Sequence, residues 1–68
     1  MEKGWKNIYN TSDDYLVSLA TDLLDNNEIE SVVINHKDSA YVWGEYELYV
    51  KEEVEDQALQ ILEQLKKG

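Results

Sequence analysis

The sequence predicts an α+β fold in which three antiparallel strands form one sheet and two helices cover a single face of it. Two observations support this prediction. Some segments alternate apolar and polar residues, which is typical of half-buried strands, and others space apolar residues three and four apart, which is typical of amphipathic helices. These segments follow the order strand, helix, strand, strand, helix along 68 residues. That length predicts one small domain, residues 1–68.

The clearest unit is a third strand that runs directly into the last helix. Residues 41–50 alternate, so Leu48 and Val50 share one face with Tyr46, and Tyr49 lies on the other. Acidic residues crowd positions 52–56, where the helix dipole favours negative charge. The apolar residues that follow repeat at helical spacing: Val54, Ala58, Ile61, Leu62 and Leu65.

Two further strands complete the predicted sheet. Residues 5–9 alternate and form the first strand. Residues 29–35 form the second strand, because Val32, Val33 and Ile34 are all β-branched. Alternation in the first strand places three residues on one side: Trp5, Asn7 and Tyr9. The orientation of the second strand stays open, because either of two sets could face the helices: Ile29, Ser31 and Val33, or Val32 and Ile34.

The first helix follows a polar turn. Thr11 or Ser12 can accept a backbone N–H as the N-cap, and Asp13 and Asp14 then suit the positive end of the first turn. Apolar residues recur as pairs every four positions: Tyr15, Leu16, Leu19, Ala20, Leu23 and Leu24. The segment Asp25-Asn26-Asn27 is predicted to end the helix, since asparagine tolerates the left-handed conformation common after a helix C-terminus.

Handedness then fixes the topology. Right-handed crossovers place the first helix on the same face as the last one. The result is the split β-α-β arrangement of ferredoxin-like folds without its final strand, with strand order 1-3-2. One face of this sheet is covered by the two helices, and the other face is open.

The order of several motifs resembles the putative prokaryotic signal-transducing protein family. The resemblance covers nearly the whole chain, and it implies a small bacterial-type, ferredoxin-like domain related to nitrogen-regulatory signal proteins. It also implies a regulatory role, without catalytic residues to carry across. Family members usually have a glycine before the second strand, where this chain has Asn27-Glu28. The motifs are these: Trp5 to Tyr9, Leu23-Leu24, Ile29, Glu47-Leu48-Tyr49-Val50 and Ala58-Leu59-Gln60-Ile61-Leu62.

The amino-acid composition argues against several classes of function. Fifteen acidic residues against six basic ones give a formal charge of −9, which repels phosphate backbones, so no nucleic-acid partner is expected. The sequence has no cysteine, which excludes disulfides and thiolate chemistry. No segment is apolar enough for a membrane span or a signal peptide, so no membrane association and a cytoplasmic location are expected.

Catalytic and metal sites find little support in the residue pattern. His36 is the only histidine, and with Asp38 it makes half of a metal site at most, in the polar turn after the second strand. We therefore expect no metal and no cofactor, and His36 with Asp38 is only a weak candidate for ligand binding. The serines lie in no nucleophile motif. The expectation is a non-enzymatic protein.

The open face of the sheet provides the stronger candidate site. It combines aromatic residues, which are enriched at interfaces, with two glutamates. The leading hypothesis is an interaction or regulatory domain that binds a protein partner or a second copy of itself there. The unpaired edge of the first strand offers another route to a homodimer. The alternative is a small-molecule or metal sensor of the nitrogen-regulator type. The candidate partner-binding residues are Trp5, Tyr9, Tyr41, Trp43, Glu45, Glu47 and Tyr49.

Overall fold

The computed structural model describes residues 3–36 and 45–65 and has the predicted α+β fold. Its three strands form one antiparallel sheet in the order β1-β3-β2. Both expectations, the fold class and the strand order, are confirmed. The elements are β1 (Trp5–Thr11), α1 (Asp14–Asn26), β2 (Ser31–His36), β3 (Glu45–Lys51) and α2 (Glu55–Leu62), and α2 lies between two 3₁₀ turns, Glu52–Val54 and Glu63–Leu65.

The hydrophobic core lies between β3 and the two helices. Leu48 and Val50 are fully buried at the centre of the sheet, as the alternation of β3 predicts. Leu24 from α1 and Leu62 from α2 pack in the same cluster, so both helices cover the same face of the sheet. We call this side the helix face. The remaining buried members of the cluster are Ala20, Ile29 and Ala58.

A β-bulge in β1 changes which residues face the core. Asn7 lies opposite Tyr49 of β3, but Tyr9 lies opposite Leu48, so an extra residue is inserted between Asn7 and Tyr9. The insertion reverses the alternation, and Tyr9 and Ile8 both pack against the core. The prediction that Tyr9 shares a side with Trp5 is therefore wrong.

The pairing with β3 settles the orientation of β2. Val32 lies opposite Tyr49 and Ile34 lies opposite Glu47, so both point away from the helices. Ile29, Ser31 and Val33 consequently belong to the helix side, the first of the two alternatives. The strand also continues to His36, whose backbone pairs with Glu45 rather than forming a turn as predicted.

The start of α1 differs by one position from the sequence prediction. Asp13 is the N-cap, and its carboxylate accepts a hydrogen bond of 2.8 Å from the backbone N–H of Tyr15. Thr11 supports this cap, because its hydroxyl accepts a 3.1 Å hydrogen bond from the N–H of Asp13. A carboxylate at this position both satisfies a free N–H group and lies at the positive end of the helix dipole.

The end of α1 is a Schellman motif. The N–H of Ile29 donates to the carbonyl of Leu24 at 2.9 Å, and the N–H of Glu28 donates to that of Asp25 at 3.0 Å. Glu28 has φ 62, so Glu28, rather than Asn27, adopts the left-handed conformation. The side chain of Asn27 instead donates a 2.7 Å hydrogen bond to the carbonyl of Leu23.

Candidate interaction surface

The side of the sheet opposite to the helix face is called the open face here. The registers of β1 and β2 with β3 decide which side chains it carries, since directly opposed residues of antiparallel strands share a face. Among the residues whose side chains the structure describes, those on the open face are Trp5, Asn7, Asn10, Val32, Ile34, Glu45, Glu47, Tyr49 and Lys51.

One end of the open face is formed by Trp5 and Lys51. These two residues are directly opposed in the β1–β3 pair, and the Lys51 Nζ lies over the Trp5 ring at 6.0 Å from its centroid. This distance is at the outer limit of a cation–π interaction. The indole is only partly buried, so much of its surface stays available.

The centre of the open face is formed by Tyr49 and Glu47 of β3. The Tyr49 hydroxyl donates a 3.0 Å hydrogen bond to Glu47 Oε1, two residues away along the strand. This hydrogen bond, with a smaller effect of desolvation, raises the pKa of Tyr49 above its ordinary value. The same hydrogen bond restricts the orientation of the ring. Val32 and Ile34 of β2 flank this pair.

Asn7 stabilises the bulge at the border of the open face. Its amide Nδ2 donates to the Leu48 carbonyl at 3.1 Å and to Asn10 Oδ1 at 2.8 Å. Because a bulge interrupts the ladder of backbone hydrogen bonds, a side-chain donor at this point replaces a bond to the neighbouring strand. Asn7 thus ties β1 to β3 where their regular pairing is interrupted.

Residues 5–66 match a family described as putative prokaryotic signal transducing protein. The chain belongs to this family. No curated protein and no solved structure matches it significantly. The family description supports a role in signal transduction and assigns no chemistry to particular residues. Within residues 3–36 and 45–65, no helix is long and apolar enough to cross a membrane.

In this family member, the open face brings together four of the predicted partner-binding residues: Trp5, Glu45, Glu47 and Tyr49. Tyr9 belongs to the opposite side, against the core. Tyr41, Trp43 and Asp38 lie outside the described residues, and only the backbone of His36 is described.

Several members of the open face were not predicted as site residues. The sequence of β2 does not predict Val32 and Ile34, because it leaves the orientation of the strand open. The pattern of β3 does not predict Lys51, because the alternation of apolar residues stops before it, although the strand itself continues through Lys51. Extending the two-residue period of β3 by one step would have identified it.

The helix face carries its own polar contact at its border. The Tyr46 hydroxyl donates a hydrogen bond to Asp14 Oδ1 at the start of α1. This contact, more than desolvation, raises the pKa of Tyr46.

A shallow depression of about 370 Å³ lies at the other end of α1, lined by Thr21, Asp22, Asp25, Ile29, Glu30 and Ser31. In the described parts of the chain no group of three or more histidine or acidic residues is arranged to hold a metal ion.

Proposed function

We propose that this domain is a non-enzymatic interaction module of signal transduction that binds a protein partner on the open face of its sheet. One observation carries the proposal. All three strands contribute apolar or aromatic side chains to this face, and no described helix covers them: Trp5, Val32, Ile34 and Tyr49. Each of the four side chains is partly accessible to solvent, and monomeric proteins seldom group apolar side chains on an uncovered surface without a use for them.

The face is also preorganised for binding. Tyr49 is held by Glu47 and Trp5 is opposed by Lys51, so these large side chains lose little conformational freedom when a partner covers them. They project from paired strands, which are more rigid than loops. Aromatic residues with a polar tip are the type enriched at interface centres.

Charge indicates the chemistry of the partner. The chain has a formal charge of −9, and Glu45 and Glu47 lie on the open face itself. Complementary potentials accelerate encounter and disfavour partners of like charge. We therefore propose a partner segment that places apolar side chains on the sheet and surrounds them with lysine or arginine.

A defined peptide pair tests this proposal. We expect an amphipathic peptide of leucine, tryptophan and lysine to shift the NMR signals of the open-face residues. A peptide in which glutamate replaces each lysine should not bind. Binding of the basic peptide should weaken as salt is added, because the attraction is between unlike charges at a solvated surface.

Two variants localise the binding. Trp5→Ala should weaken binding of the basic peptide by about tenfold, as expected for an aromatic anchor. The matched control is Tyr15→Ala, which removes an aromatic side chain that is 69% exposed on α1. An equal loss of peptide affinity in both variants, or NMR signal shifts confined to residues of the helices, would overturn the proposal.

Two features of the sequence support a role without catalysis. It contains no cysteine and a single histidine, so no thiolate and only one imidazole are available for catalysis. The alternative, a small-molecule or metal sensor, stays a prediction, because the side chain of His36 and the whole of Asp38, which form its candidate site, lie outside the described part of the chain.

A further inference from the structure

The two edges of the sheet differ in how they are protected. Among residues 3–36 and 45–65, no strand lies beside the outer side of β1 or of β2. The β1 edge has a bulge and an exposed charge at Lys6, two devices that prevent strand addition. The β2 edge has neither device. Residues 31–35 pair with β3 without a register shift and contain no charged residue and no proline.

An exposed apolar side chain marks the same edge. Val33 belongs to the helix side of the sheet, opposite Leu48, yet it is 39% exposed. The helices therefore do not cover the outer strand at this point. A further strand beside β2 would remove Val33 from water and satisfy the outward backbone groups of β2 at the same time.

We propose that two copies of this chain pair through β2, antiparallel and related by a two-fold axis, to form a continuous six-stranded sheet. In such a pair, residues on the axis oppose themselves. Centring the axis on Val33 pairs residues 31–35 of one copy with the same residues of the other. The two Val33 side chains, one from each copy, then meet on the helix side. On the open face, Val32 of one copy lies beside Ile34 of the other.

Charge and side-chain chemistry identify the occupant as a second copy. The strand is self-complementary in the centred register, since Ser31 pairs with Asn35 and the remaining pairs are β-branched. Its neutrality from 31 to 35 means that no like charges meet directly within the pairing. The charge of −9 on each chain acts only at longer range, where salt screens it. This proposal does not rest on the function proposed for the open face.

Sedimentation equilibrium of the full chain tests the dimer. We expect reversible dimerisation that strengthens between low and high sodium chloride, because screening reduces the repulsion between two acidic chains. This salt dependence is opposite in sign to that expected for the basic peptide. A chain that remains monomeric up to millimolar concentration in high salt would overturn the proposal.

A matched pair of variants places the contact. Val33→Lys should raise the dissociation constant by about tenfold or more, because the centred register sets two lysines directly opposite each other. Leu59→Lys is the control, since Leu59 on α2 is 41% exposed and the change in charge is the same. Equal effects of the two substitutions would contradict pairing through β2.

Hydrogen exchange of the unmodified chain gives a test that needs no variant. Amide protection in residues 31–36 should increase with protein concentration, because the outward N–H groups of β2 become hydrogen-bonded in the dimer. Protection in β1 should not change. If protection increases with protein concentration in β1, or does not increase in either edge strand, the proposal that the dimer forms through β2 is wrong.

Discussion

The two faces of the sheet use the same strands in different ways. On the helix face, Leu48 and Val50 are fully buried and form the centre of the core. On the open face, Tyr49 and Glu47 alternate with them along β3 but remain half-buried, and they contact each other. Alternate residues of one strand therefore serve stability on one side and, in our proposal, recognition on the other.

Two tyrosines of β3 show the difference at the level of single contacts. Tyr46 on the helix face bonds to Asp14, which lies 32 positions away at the start of α1. Tyr49 on the open face bonds to Glu47, only two positions away in the same strand. The first hydrogen bond joins two layers of the fold, whereas the second only fixes a surface side chain. Contacts of the same chemical type thus have different structural consequences.

The largest expected effect tests whether the helix face alone carries the core. Leu48→Ala should lower the free energy of unfolding by about 2–5 kcal/mol, because it leaves a cavity beside Leu24 and Leu62. Tyr49→Ala on the open face should cost about 1 kcal/mol or less, the range of a cross-strand pair. Urea unfolding followed by circular dichroism measures both. Similar losses would show that Tyr49 belongs to the core, and the contrast between the faces would fail.

A smaller effect on stability is expected at the C-terminus of α1, one of the two helices that cover the helix face. Glu28→Gly should raise the free energy of unfolding by about 0.5–1 kcal/mol, because glycine adopts the left-handed conformation without the clash of a Cβ. The control is Asn27→Gly. Asn27 has φ −102 and caps the helix through its side chain, so this change should destabilise. Urea unfolding of the two variants checks the opposite signs.

The sequence predicts the fold because local and global signals agree in it. Alternation in β3 and the helical spacing that follows gave the central strand and α2, and chain order with right-handed crossovers gave the topology. The cap residues were harder to predict, because Thr11, Ser12 and Asp13 all have side chains that can cap a helix. At the other end, Glu28 takes the left-handed conformation that propensity assigns to asparagine.

Residues of the open face can be predicted only in a strand whose own alternation of apolar and polar residues shows which side chains face the core. Glu47 and Tyr49 follow from the alternation of β3. Tyr9 was misplaced because a bulge reverses the alternation, and nothing in residues 5–9 alone signals the inserted residue. Val32 and Ile34 could not be assigned because a run of β-branched residues is apolar on both sides. Their positions depend on pairing with β3, which is tertiary information.

The smallest expected effect distinguishes the two tyrosine contacts by their dependence on pH. Hydrogen bonds to carboxylates raise the pKa of Tyr46 and of Tyr49 above the ordinary value of 10.0. A raised pKa in the folded state means that the contact stabilises the fold below pH 10 and that this contribution is lost as the pH rises through the raised value. Phenylalanine cannot ionise, so each substitution removes this part of the pH dependence.

Urea unfolding at pH 7 and at pH 11 then compares wild type with Tyr46→Phe and Tyr49→Phe. At pH 7 both variants should be less stable than wild type, and Tyr46→Phe more so, because its hydrogen bond joins β3 to α1. At pH 11 the difference between wild type and Tyr46→Phe should be smaller than at pH 7, since ionisation of Tyr46 in the unfolded state begins near pH 10 and opposes the folding of wild type alone. Equal behaviour of the two variants at both pH values would mean that contacts on the two faces contribute alike, and the distinction between a layer-joining and a surface hydrogen bond would be lost.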